Sequence, residues 1–237
     1  AQRVACASNL RQAGQCMTMY AQQFKDAAPI GYMSQKQFSY VIHWNNAGSS
    51  PPKPSQMGML VLAKLLPVPK TYYCPAEEDP LYMFNTPDNQ WVFDQNPPHP
   101  YLTQAGSGRH TRMGYNARPV ADWPTNNFPI TDPRAFTPLL EPIDPVNPIR
   151  AYPKWNRLKN KAVLCDIIVS PENVLRRHRT GVNVLFGDAS VRYVPLKSFI
   201  NSGSWRYISY GDVQVAWNDE MLRFDPDGGV WTVLDKQ

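Results

Sequence analysis

Nineteen of the 24 prolines in this chain fall between Pro51 and Pro148. Each fixes φ and removes a backbone donor, so long helices and central strands are disfavoured throughout that stretch. Asn, Asp and Gly punctuate it as well, and the segment from about residue 75 to 150 reads as irregular chain with short strands, one of them near Met113-Gly114-Tyr115-Asn116. At 237 residues, with 43% apolar and 12% aromatic side chains, the chain has the means to bury a core. Long regular elements are therefore expected on either side of the proline-rich middle.

On the N-terminal side, Cys6, Leu10, Ala13, Met17, Tyr20 and Phe24 recur at steps of 4, 3, 4, 3 and 4. That spacing predicts a helix from about Gln2 to Asp26 with one apolar face, ended by Pro29. Ala13 and Met17 suit packing on a sheet, and the stripe is too short for a coiled-coil seam. Phe38 to Trp44 reads as a short strand or helix, and Met57 to Leu66 as a buried helix. On the C-terminal side, Ala162 to Val169 is a compact apolar run of the kind a buried strand carries. Val182 to Gly187 and Ser190 to Val194 read as a hairpin around Asp188-Ala189, and Val213 to Trp217 and Val230 to Leu234 as further strands.

The formal charge of +5 is unevenly spread. Eight Lys/Arg lie between Arg150 and Arg179 against two acids, and six acids follow Gly211 against two bases. No dense basic run interleaved with aromatics occurs, so nucleic acid is not an expected partner. The two patches read as solvated surface able to pair with each other or with neighbouring subunits. No stretch approaches the roughly 20 apolar residues of a membrane helix. The sequence opens at Ala1 in what reads as mid-helix, and a segment removed upstream is expected.

Three landmarks in this order carry a resemblance. Cys6-Ala7-Ser8-Asn9-Leu10-Arg11-Gln12 opens a helix that runs on to Tyr20, Tyr73-Cys74-Pro75 sits mid-chain with Gly114-Tyr115-Asn116 beyond it, and His178 precedes Asp188 by nine intervening residues. Ser190-Val191-Arg192-Tyr193 continues the last motif. Together these resemble the type II secretion pseudopilin-like proteins with a prepilin-type N-terminus and a C-terminal His-x9-Asp-Gly motif. The departure is Ala189, where the family has Gly, and residues 80 to 110 and the tail after Val194 lack a counterpart.

The resemblance implies an α+β, pilin-like fold in which an N-terminal spine helix (residues 1–28) packs on an antiparallel β-sheet. Residues 29–237 would form the head, with long Pro-rich loops inserted at about 75–150. It implies a non-catalytic assembly subunit of a pseudopilus or pilus-like filament, anchored in the inner membrane through the missing upstream helix, with a periplasmic or extracellular head. Its partners would be other pseudopilin subunits, met through the N-terminal helix, and inner-membrane components of the secretion system.

The motif residues His178, Asn183, Gly187 and Asp188 also admit a chemical reading, since a hairpin would bring His178 and Asp188 together as a base and its carboxylate or as metal ligands. No Gly-x-Ser-x-Gly, His-Glu-x-x-His or phosphate loop accompanies them, so a hydrolase is the weaker alternative. No cofactor is expected. Calcium is the one candidate, at Asp225 and Asp227 beside Gly228-Gly229, although the spacing falls short of an EF-hand loop. Cys6 and Cys16 lie about 15 Å apart along one helix, beyond disulfide reach. Cys74 and Cys165 are the candidate bridge in an oxidising periplasm, with two buried free thiols as the alternative. No Cys-x-x-Cys spacing suggests zinc. Trp91, Trp123, Trp155, Trp205 and Trp217 raise a second function, an extracytoplasmic module that binds a polysaccharide or peptide, against the plainer reading that they fill the core.

Overall fold

A computed structural model describes residues 2–29, 40–44, 53–93, 110–118, 154–168, 171–198 and 229–237. Helix α1 spans Gln2–Gln23 and buries Cys6, Leu10, Ala13, Gly14, Cys16, Met17, Tyr20 and Ala21, which is the predicted stripe with its small residues filled in. It stops earlier than Pro29 would require. Lys25 and Asp26 take positive φ values of 52° and 65°, and the Asp26 amide closes onto the Ala21 carbonyl, so a left-handed C-terminal turn ends the helix.

Two antiparallel sheets follow. Strands β1 (Val41–Trp44), β2 (Lys53–Pro54) and β3 (Thr111–Arg112) form a small one in the order β2-β1-β3. Strands β4 (Tyr115–Ala117), β5 (Ala162–Asp166), β6 (Gly181–Phe186) and β7 (Val191–Pro195) form the larger one in sequence order. Short helices complete the frame: α2 (Gly58–Leu62), α3 (Pro171–Arg177) and α4 (Gly229–Asp235). The apolar segment Met57 to Leu66 thus yields only one helical turn and a half, since Lys64 takes φ 56° and breaks it.

The larger sheet is covered on both faces, so its inner strands are buried throughout: every residue of β5 and β6 is buried, whereas β7 alternates at an edge. Side chains alternate between the faces. Leu164 and Leu185 join the core beneath α1, and Cys165, Val182, Val184 and Phe186 point to the opposite core with Val174 of α3 and Trp231 and Leu234 of α4. Gly14 lets α1 approach closely, because a Cβ there would stand 2.8 Å from Leu185 Cδ1. A helix packed on a sheet is what the N-terminal stripe predicted, and the mixed α+β arrangement with an antiparallel sheet is what the resemblance implied.

Three expectations change. Val230 to Leu234 is helix α4 rather than a strand. Trp231 and Leu234, three residues apart, are both fully buried in the outer core, and packing overrides the β-propensity of the run. Asp235 then clasps the sheet, accepting from the Ala162 amide at 2.8 Å and pairing with Arg118 at 2.6 Å and Lys161 at 3.0 Å. One basic-segment lysine and one acidic-tail residue thus do meet. Second, of the two tryptophan readings Trp91 and Trp155 take the plainer one, as core residues each 5% exposed, and the binding-platform alternative falls for these two. Third, the hairpin has a three-residue loop, discussed below. Asp225, Asp227, the Val213 to Trp217 strand, Trp123, Trp205, Trp217 and residues 94–109 and 119–148 of the proline-rich middle lie outside the described residues.

Candidate functional site

The site begins as a covalent tie. Cys6, on the buried face of α1, is bonded to Cys74, with Cα atoms 5.1 Å apart, while Cys16 and Cys165 are buried free thiols. The Cys74–Cys165 bridge is therefore corrected. Strand alternation turns Cys165 to the face of the sheet away from α1, whereas Cys74 lies on the α1 side. Burial pushes both free thiols upward in pKa, which keeps them protonated and unreactive. Asn9, one helical turn after Cys6, donates to the Tyr73 carbonyl at 3.0 Å, so the Cys-Pro loop is held to the helix twice.

Asp166 closes β5 on the α1 face, and the matching position of β6 is Asn183. The Asp166 carboxylate accepts from the Asn183 backbone amide at 2.6 Å and from its side-chain amide at 3.0 Å, both on Oδ2. A carboxylate thus takes the place of the next ladder carbonyl. His178 follows the end of α3, where Arg179 turns the chain with φ 60° toward β6. Its Nε2 lies 3.3 Å from Asp166 Oδ2, 3.5 Å from Cys74 Sγ and 3.5 Å from Asn183 Nδ2. The His178 side chain is 4% exposed and that of Asp166 2%.

Next to His178, Arg177 forms a buried ion pair with Glu77, three residues after Cys74, and lies over the Tyr82 ring at 5.7 Å. Glu77 in turn accepts from the amides of Glu78 and Asp79. Burial pulls the Arg177 pKa down to about 9, still on the charged side of neutrality. The Cys-Pro loop is therefore fastened to α1 by a disulfide and to the end of α3 by an ion pair.

The structure separates the two residues that were to act together. Asp188 is exposed in the loop at the far end of β6 from His178, and six strand residues amount to about 20 Å. The carboxylate beside His178 is Asp166, which the motif did not include. Its signal was an acid inside an otherwise apolar buried run, a placement that demands partners. Asn183 does belong to the cluster. Gly187 serves a close approach instead: a Cβ there would lie 2.1 Å from the Leu158 carbonyl oxygen. The expected Asp188-Ala189 two-residue turn is a three-residue loop of Gly187, Asp188 and Ala189. The Ala189 amide bonds to the Phe186 carbonyl, the Phe186 amide to the Ser190 carbonyl, and Ala189 is left-handed at φ 65°.

Among the described residues no helix is long and apolar enough to cross a membrane. Compared with known proteins, the chain matches no family model, no curated protein and no solved structure.

Proposed function

We propose that this chain is the extracytoplasmic, pilin-like head of a pseudopilin-type assembly subunit, and that it acts without catalysis. The observation that carries the reading is α1. One face of the helix is sealed onto an antiparallel sheet and bonded through Cys6 to the Cys-Pro loop, while Val4, Ser8, Arg11, Gln12, Gln15 and Met19 stay exposed along the other. A helix fixed to its head with a free outer face suits packing against copies of itself. The disulfide favours an oxidising compartment. In this reading the membrane is reached through a helix upstream of Ala1, and the partners are other pseudopilin subunits and inner-membrane components of a secretion system.

His178, Asp166 and Asn183 are then a buried polar strut. With 4% of its side chain exposed, the imidazole presents little surface to a substrate. The test is co-expression of the full-length gene with and without a prepilin peptidase. Membrane-extracted protein shortened only when the peptidase is present is the expected result. Cysteines placed at Arg11 and Gln15 should also cross-link copies to one another. Full-length protein that stays out of membranes and is never shortened would overturn the proposal.

A further inference from the structure

The disulfide, the imidazole and the carboxylate form a cluster that the assembly reading does not use. One ligand atom from each of Cys6, Cys74, Asp166 and His178 lies within 4.8 Å of the others. We infer that the reduced chain binds a zinc-like divalent cation at these four residues, so that Cys6 and Cys74 close the site either by bonding to each other or by sharing a metal.

The geometry carries this. A tetrahedral zinc with Zn–S near 2.3 Å and Zn–N or Zn–O near 2.0–2.1 Å separates its ligands by about 3.6 Å between sulfur and nitrogen and about 3.3 Å between nitrogen and oxygen. Here Cys74 Sγ and His178 Nε2 are 3.5 Å apart, and His178 Nε2 and Asp166 Oδ2 are 3.3 Å apart. Those two edges already match, and the two sulfurs need only part to about 3.8 Å, a side-chain rotation from Cα atoms 5.1 Å apart. Asn183, with two hydrogen bonds to Asp166, orients the carboxylate as outer-shell partners of metal ligands do. Asp166 Oδ1 is buried and has no hydrogen-bond partner among the described residues, so Asn183 leaves the carboxylate charge only partly satisfied. Cysteine pairs of this kind commonly lie two to four residues apart, whereas here 68 positions separate them, so spacing alone hides the site.

The chemistry balances with a phosphine as reductant. Two electrons pass from phosphorus to the disulfide, water supplies the oxygen of the phosphine oxide, and Cys6 and Cys74 become thiols. Binding the cation then releases two thiol protons and leaves two thiolates on the metal. Metal binding by the reduced chain is independent of filament assembly, and a titration of the isolated chain reads the first without the second.

Cobalt(II) is the probe. It should be titrated into the whole chain, oxidised and then reduced with a phosphine, with far-ultraviolet circular dichroism recorded in parallel. The expected result is one equivalent bound only after reduction, with intense visible bands of tetrahedral cobalt and a thiolate charge-transfer band that zinc displaces. Cys74→Ser, which leaves one thiolate of two, should remove about half or more of the charge-transfer intensity. Asp166→Asn, which keeps the shape and a hydrogen-bonding oxygen, should weaken affinity by roughly tenfold or more. Pale octahedral bands, equal binding to the oxidised chain, bands indifferent to Cys74→Ser, or loss of the fold on reduction before metal is added would each overturn the inference.

Discussion

Ala189 occupies a backbone conformation, φ 65°, that costs an L-residue with a Cβ about 1–2 kcal/mol. The loop that joins β6 to β7 demands it, since a three-residue hairpin places its last residue in the left-handed region. Ala189→Gly should therefore raise stability by about 0.5–1 kcal/mol, the left-handed strain relieved less the freedom a glycine adds to the unfolded chain. Two positions earlier the sign reverses. Gly187→Ala drives a methyl into the Leu158 carbonyl, a backbone atom that cannot swing aside, and should cost roughly 2 kcal/mol or more. Urea titration of both variants checks the pair, and a loss at Ala189→Gly would contradict the loop described. Of these two glycine-type demands in one loop, the sequence meets one and leaves the other to an alanine.

At the scale of elements, the Cys6–Cys74 bond closes a loop of 68 residues in the denatured chain. Chain-entropy reasoning assigns such a closure about 4 kcal/mol, so Cys6→Ser with Cys74→Ser should lower unfolding free energy by about that much. Chemical denaturation without reductant measures it, and a change under about 1 kcal/mol would mean that residual structure in the denatured chain already keeps the two residues close. What sequence could reveal of these elements follows from how local their causes are. The stripe from Cys6 to Tyr20, the apolar runs of β5 and β6 and the alternation of β7 announce themselves through period and composition. Helix α4 does not, because Val, Trp and Thr favour strands, and the segment is helical where Trp231 and Leu234 bury together in the core. Helix α3, seven residues that start at Pro171, is too short for any period to stand out. The site was half legible. His178 and Asn183 stood in a motif, whereas Asp166 and Cys6 reach it only through strand register and a helix crossing that no local pattern encodes.

The whole molecule carries a pH dependence outside that site. Burial lowers the His43 pKa to about 4, and burial together with the charge of Arg112 and the proximity of His43 lowers that of His110 to about 4. Both residues lie at the small sheet, where His43 pairs with Thr111. The unfolded chain holds these protons near pH 6.5 and the folded one only near 4, so folding is favoured fully above about 6.5 and loses ground as pH falls. For His43 the difference amounts to roughly 3 kcal/mol across the window. Melting temperature should be level from pH 8 to 7 and fall from 6.5 to 5, and His43→Gln should flatten that slope; an unchanged slope would show that other groups set it. The bridge between α1 and the Cys-Pro loop has a mechanical consequence as well. Tension applied at the start of α1 passes at Cys6 straight into Cys74, and the 68 residue steps between them, roughly 240 Å of extended chain, never feel it. Pulled from its two ends, the oxidised molecule would yield only the contour beyond Cys74, and reduction would release the hidden length.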